Sequence, residues 1–209
     1  MILKLKILSV FLTSLFFSTQ LFAQSDFGIR AGVNFSNISG KEDGQKIQGN
    51  KMITGFNIGV TYDIDLAEEF ILQPALLFTT KGYKIKIEGE DSPDIDASMK
   101  LNYLELPINF IYKPMVGDGN LLLGAGPYLG YGIGGKAKVG NITEKITFGN
   151  GQLFKAFDYG ANLLFGYQLS SGISAQLNAQ LGLGNIARDG DSHNSVKNTQ
   201  FGISFGYKF

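Results

Sequence analysis

Several groupings in the 209-residue chain are of residue types that can do chemistry. Ser192 and His193 are adjacent in the run Asp189-Gly190-Asp191-Ser192-His193-Asn194, and His193 is the single histidine. A hydrolytic Ser/His pair also needs a positioned acid and an oxyanion site, and a polar loop supplies neither. Gly124 to Gly135 reads GAGPYLGYGIGG, dense enough in glycine for a phosphate cradle. It lacks the Lys-Ser/Thr of a nucleotide loop, and no helix pattern follows to present an N-terminus, so these read as strand glycines. Glu88, Glu90, Asp91, Asp94 and Asp96, and separately Asp189 and Asp191, offer the hard oxygen ligands that suit calcium. EF-hand spacing with its terminal Glu is missing, and solvated loops are the reading. No catalytic residue, metal site or cofactor is assigned. Arg30, Asp63, Gln73, Lys81, Glu105, Asn109 and Asp158 remain, and they could pair with one another or line an ion path.

What those seven can do depends on which way their elements face. Phe27, Ile29, Ala31, Val33 and Phe35 alternate with Gly28, Arg30, Gly32, Asn34 and Ser36. At the other end Phe201, Ile203, Phe205, Tyr207 and Phe209 alternate with Gly202, Ser204, Gly206 and Lys208. A period of two with one apolar side is the mark of a strand. Six more segments follow the same rule, at 53–65, 69–83, 100–113, 121–135, 157–169 and 172–186. The pattern predicts an all-β fold, an eight-stranded antiparallel up-and-down barrel whose two end strands close the ring. All seven polar residues then fall on the inner side.

The apolar sides decide what surrounds such a barrel. Their opposing faces carry repeated Gly, Asn and Gln, where a water-facing sheet would carry Lys, Glu and Arg. That favours a transmembrane barrel with its apolar face toward lipid over a soluble lipocalin-like barrel with that face turned in around a ligand. In hydrocarbon every strand N–H and C=O must be paired within the protein, so only a closed sheet survives there. The connections support the same choice. Those near 66–68, 114–120 and 170–171 are short, whereas 38–52, 84–99, 136–156 and 187–198 are long and polar, as periplasmic turns and outward loops should be. Phe27, Tyr62, Phe70, Tyr112, Tyr167, Tyr207 and Phe209 fall near the short-turn rim, and Phe35, Phe56, Phe78, Tyr159 and Phe201 near the other, which predicts two aromatic belts.

Lys4 and Lys6 ahead of the apolar run Ile7 to Phe17, with Leu21-Phe22-Ala23 after it, read as a signal peptide cleaved after residue 23 and leaving a barrel domain over 24–209. Without Lys4 and Lys6 there remain 16 basic residues against 18 acidic ones, a near-neutral chain with no electrostatic footprint for nucleic acid. There is no cysteine, so the chain has no disulfide and no thiolate metal site.

Leu72-Gln73-Pro74-Ala75-Leu76-Leu77, Lys81-Gly82, Asn102-Tyr103-Leu104-Glu105-Leu106-Pro107 and Gly124-Ala125-Gly126-Pro127-Tyr128-Leu129-Gly130 together resemble the PorT-like outer-membrane β-barrel family of Bacteroidota. The resemblance covers essentially the whole chain after the signal, with Ala75 standing where the family has an acidic residue. It implies an eight-stranded barrel in the outer membrane and no single activity.

The seven inner residues are expected to form a hydrogen-bonded plug, with Arg30 approaching Asp63 and Lys81 approaching Glu105. Phe201, Ile203, Phe205, Tyr207 and Phe209 are expected to form the assembly signal read by the barrel-assembly machinery. The expected protein is a monomeric barrel of structural or interaction role, with periplasmic termini and outer-membrane lipid and lipopolysaccharide as surroundings. A narrow porin-like channel is the alternative, and a lipid-modifying enzyme a more distant one.

Overall fold

The computed structural model describes residues 26–47, 49–87, 95–149, 151–188, 190 and 193–209; the signal segment and the acidic residues Glu88, Glu90, Asp91, Asp94, Asp189 and Asp191 lie outside them. Twelve strand segments form one antiparallel sheet. They are β1 (Phe27–Glu42), β2 (Gln45–Lys46), β3 (Ile53–Tyr62), β4 (Ile64–Ala67), β5 (Phe70–Ile87), β6 (Ile95–Tyr112), β7 (Met115–Val116), β8 (Gly119–Val139), β9 (Ile142–Ile146), β10 (Phe157–Leu169), β11 (Ile173–Gly182) and β12 (Ser195–Lys208). The pairing runs β10-β11-β12-β1-β3-β5-β6-β8, and β8 pairs in turn with β10, so the sheet returns on itself. The segments β2, β4, β7 and β9 hang from β1, β5, β8 and β8 respectively. Where the alternation predicts eight strands, the described residues form twelve segments.

Ring closure rests on the chain ends. β1 pairs with β12 from Gly28↔Lys208 to Lys41↔Ser195, and Phe209 N–H donates to the Phe27 carbonyl at 3.0 Å. Closure leaves no long ladder edge open, which is how a sheet can stand apolar surroundings. The alternation sorts the side chains accordingly. Ile58 is 54% exposed and Phe205 64%, whereas Lys81, Glu105, Asn109 and Asp158 are 0% exposed. The apolar face is outside and the charge inside, the reverse of a water-soluble protein.

Aromatic rings gather at the two rims of the outer face. Near the short turns Phe27 meets Tyr62 at 4.7 Å, Phe70 meets Tyr112 at 5.0 Å, and Tyr207 meets Phe209 at 5.3 Å between centroids. At the other rim Phe35 stacks on Phe201 at 5.2 Å and Phe56 lies 5.5 Å from Phe78.

The expected long loops are shorter than their polarity suggests. β1 runs on to Glu42, β5 to Ile87, β8 to Val139, while β6 begins at Ile95 and β12 at Ser195. The physical reason is in the residues: Tyr83-Lys84-Ile85-Lys86 and Lys136-Ala137-Lys138-Val139 keep the period of two, with Lys taking the outer position that Leu or Phe holds lower down. Alternation, not hydrophobicity, holds them in the ladder.

Candidate functional site in the lumen

The inner residues stack in three layers. Closest to the short turns Ile71, Ile111, Leu122 and Leu164 pack as a buried apolar layer. Above it lies a polar layer, and at the loop end a second apolar cluster of Leu101, Tyr103, Ile146, Phe154 and Ile186, with Met99, Phe148 and Val196 against it. Phe148 and Phe154 come from the chain between β9 and β10, which folds in over the bore through a Phe148–Phe154 bridge and a Phe154–Ala187 bridge. Gly132 makes room for this, since a Cβ there would lie 2.6 Å from the Phe148 ring.

The polar layer centres on Lys81. Its Nζ lies 2.5 Å from Glu105 Oε1 and 3.1 Å from Asp158 Oδ2, with all three side chains wholly buried. The ammonium also sits 4.3 Å from the Tyr128 ring centroid, close enough for a cation–π contact. Tyr128 Oη donates to Asp158 at 3.3 Å, and Asn198 Nδ2 donates to the same carboxylate at 2.9 Å. Gln180 Nε2 donates to Glu105 Oε2 at 3.3 Å, and Gln200 Nε2 donates to Gln180 at 2.6 Å. Register explains how Glu105 and Asp158 come together: each pairs with Gly130, one from either side of β8.

The remaining expected residues divide. Asn109 accepts from Asn162 Nδ2 at 2.7 Å. Gln73 Nε2 donates to Asp63 at 2.7 Å, next to the pair Ile64↔Leu72 that joins β4 to β5. Arg30 does not meet Asp63, contrary to the sequence expectation. Its Nη1 donates to Gln176 at 3.3 Å, reaching past β12 to β11, and the charge it feels most is that of Glu105. Asp63 is taken instead by Lys208, at 3.0 Å, and Lys208 also lies 3.3 Å from Asp26. Lys208 sits on the strand that closes the ring, so it arrives from 145 residues away in sequence. Beside this group, Lys113 leaves β6 half-buried, and burial lowers its pKa against the raising effect of Asp63.

Both ladder neighbours of Arg30 are glycines, Gly59 on β3 and Gly206 on β12. A cavity of about 20 Å³ lies beneath it, lined by Thr61, Asp63, Gln73, Gln168, Gln176 and Lys208 among others. That is the space of one water molecule. Tyr103, Tyr128, Asn198, Gln176, Gln180 and Lys208 were not singled out from sequence, although each occupies an inner position of its alternation.

The other motifs stay apart. Gly124 to Gly135 lies within β8 as a strand. His193 is exposed on its loop, where its carbonyl accepts from Gly44 N–H at 3.0 Å. Among the described residues no three His, Cys, Asp or Glu side chains gather as a metal site.

A closed antiparallel sheet with an apolar exterior and a charged interior defines a membrane barrel. The chain matches the family model described as outer membrane protein beta-barrel domain over residues 22–188, and it belongs to that family. It is thus an outer-membrane barrel protein. No curated protein matches it in sequence. Among solved structures it is similar to Neisserial surface protein A, with 14% identity, TM-score 0.47, 88% of this chain and 98% of that one covered. It is also similar to Ail of Yersinia pestis, solved with the heparin analogue sucrose octasulfate, at 19% identity and TM-score 0.41, covering 88% and 97%. OprG of Pseudomonas aeruginosa aligns at 19% identity and TM-score 0.39, covering 88% and 96%.

Proposed function

We propose that this chain is a small eight-stave outer-membrane barrel with a plugged lumen, serving as a structural or interaction protein through its outer segments. In this reading β2, β4, β7 and β9 are arms of the connections, and the staves are the eight segments of the closed pairing path. The observation that carries the plugged lumen is the Lys81–Glu105–Asp158 group, wholly buried between two apolar layers. A conducting path would need hydrated space through that level. Charges neutralised by each other and by amides are instead what a filled bore requires.

The finer assignments follow from the same reading. Residues 1–23 are a cleaved signal, both termini are periplasmic, and the four loop-end connections face outward. The monomeric barrel is inserted by the assembly machinery through the terminal residues Phe201, Ile203, Phe205, Tyr207 and Phe209, with lipopolysaccharide as its outer-leaflet neighbour. The PorT-like grouping is the subfamily its motifs support.

Two measurements test this. Purified protein should run at a different position on a gel before and after boiling, because a closed ladder withstands detergent until heated. In planar bilayers it should show no steady openings. Ion-selective openings that Glu105→Gln alters would overturn the plug and favour a narrow channel.

A further inference from the structure

The outer face of the sheet changes character above the aliphatic band. On β5 the outward positions Leu76 and Phe78 give way, past Thr80 and Gly82, to Lys84 and Lys86. On β6 Leu106 and Leu104 give way to Asn102 and Lys100, and on β8 Tyr131 and Ile133 give way to Lys136 and Lys138. The register brings these together. Lys100 faces Lys136, which faces Lys145 of β9, so three lysines stand in one row across three strands. In the next row Lys138 faces Ser98, Ser98 faces Lys84, and Lys84 bridges to Lys51. Among the described residues the ladder sets Asp96 opposite Lys86, and Glu144 beside Lys145 and opposite Ala137.

These lysines are exposed, while the reverse side of the same strands is packed by Leu101, Met99 and Ala137 in the loop-end cluster. Among the described residues Lys51, Lys84, Lys100, Lys136, Lys138 and Lys145 make no ion pair. Like charges directly opposite one another weaken a sheet. A packed inner side holding three of them in register therefore presents a fixed cationic surface. Net charge conceals it, because the chain as a whole is balanced.

We propose that this face binds phosphate groups carried by lipid headgroups of the surrounding outer leaflet, an inference that rests on the outward orientation of the loop end proposed above. Height selects a lipid source over a dissolved polyanion. Lys100 lies four residues beyond Leu104, about 13 Å along the strand and roughly 10 Å in height once strand tilt is allowed for. Lys136 stands three residues beyond Ile133, about 10 Å along its strand. Both lie at headgroup level, within about one Debye length of the apolar boundary, where a basic row gains most from an anionic lipid surface.

The test uses the full chain after export, folded in detergent, with native mass spectrometry counting bound bisphosphorylated lipid A. The triple variant Lys100→Gln/Lys136→Gln/Lys145→Gln should need at least about ten times more lipid A for half occupancy. Lys41→Gln/Lys46→Gln, which neutralises another facing lysine pair, should match wild type. Lipid A stripped of its phosphates should bind wild type as weakly as intact lipid A binds the triple variant. Equal binding of intact and stripped lipid A by wild type overturns the proposal, as does equal binding of intact lipid A by wild type and triple variant. Displacement of lipid A by an equally charged soluble sulfated oligosaccharide also overturns it, in favour of a dissolved partner. Heat-modifiable migration separates the levels of failure. If wild type lacks it, the barrel reading itself fails; if wild type has it and binds the two lipids alike, only the lysine face is wrong. Should the triple variant not fold, the comparison of intact with stripped lipid A on wild type decides alone.

Discussion

Lys81 and Lys136 are the same side chain on neighbouring parts of one sheet, and they live under opposite rules. Lys81 is wholly buried between two carboxylates and an aromatic ring. Lys136 is exposed and faces two other lysines. The first was removed from water, so its charge must be matched within the protein, and every partner that matches it becomes indispensable. The second keeps its hydration and tolerates like-charged neighbours, because water and salt screen them. Charge on this chain thus means fold in the bore and recognition on the rim. Position in the alternation, rather than residue type, decides between the two.

The largest effect should come from breaking the inner set. Lys81→Met leaves Glu105 and Asp158 buried with no cation between them, and removing one member of such a group costs about 3–5 kcal/mol. We expect a lower urea midpoint and a lower temperature for loss of the compact gel form. The triple variant Lys81→Met/Glu105→Gln/Asp158→Asn should recover part of that loss, since neither carboxylate is left charged, while buried Arg30 loses the opposing charge of Glu105. Equal damage from the single and triple variants would show that packing, not charge, holds the layer.

Next in size is the close approach of β3 to β5 at Gly59. A Cβ at Gly59 would lie 2.0 Å from the Leu76 carbonyl oxygen, which is backbone and can move only with its strand. Gly59→Ala should therefore cost about 3 kcal/mol, the upper part of the range for overpacking. Gly49, where a Cβ meets nothing within 4 Å, has a φ of +79° and should respond through strain rather than contact. A urea midpoint for Gly59→Ala equal to wild type would mean that β3 and β5 can part without loss.

A smaller, sharper test concerns who holds Asp63. Double-mutant cycles on urea midpoints should give Asp63→Asn and Lys208→Met a coupling of about 1 kcal/mol, because the two are in contact. Asp63→Asn with Arg30→Met should couple less strongly than that, because the two share only the lining of the small cavity. Coupling in the second cycle alone would restore the pairing expected from sequence.

That misassignment shows where sequence reading stops. The inner or outer side of each residue was legible, because a period of two in Phe201 to Tyr207 or Phe27 to Phe35 fixes facing without knowledge of partners. Lys81 could be set near Glu105 because one hairpin joins β5 to β6. Asp158 could only be placed on the inner side, since its approach to Lys81 runs across the bore from β10. Lys208 was missed for the same reason at the ring closure, where contact depends on the sheet's circumference. The Lys84 and Lys136 segments were read as loops because their outward residues are polar. Polarity there reports the surroundings of the strand, not its absence.

The smallest effect should fall on the outer row, and its sign carries the argument. Lys136 lies between Lys100 and Lys145 across the ladder. In a neutral detergent nothing anionic faces that row, so Lys136→Ala removes two unfavourable neighbours and one solvated charge from a strand that the inner packing of Ala137 and Leu101 already holds. The urea midpoint should stay the same or rise slightly at low salt, and the difference should vanish as salt screens the row. In micelles doped with bisphosphorylated lipid A the order should reverse, because wild type then gains a ligand that binds only the folded row. A fall in midpoint for Lys136→Ala in neutral detergent would mean that Lys136 supports the strand itself, and the division between buried charge for folding and exposed charge for recognition would not hold on this face.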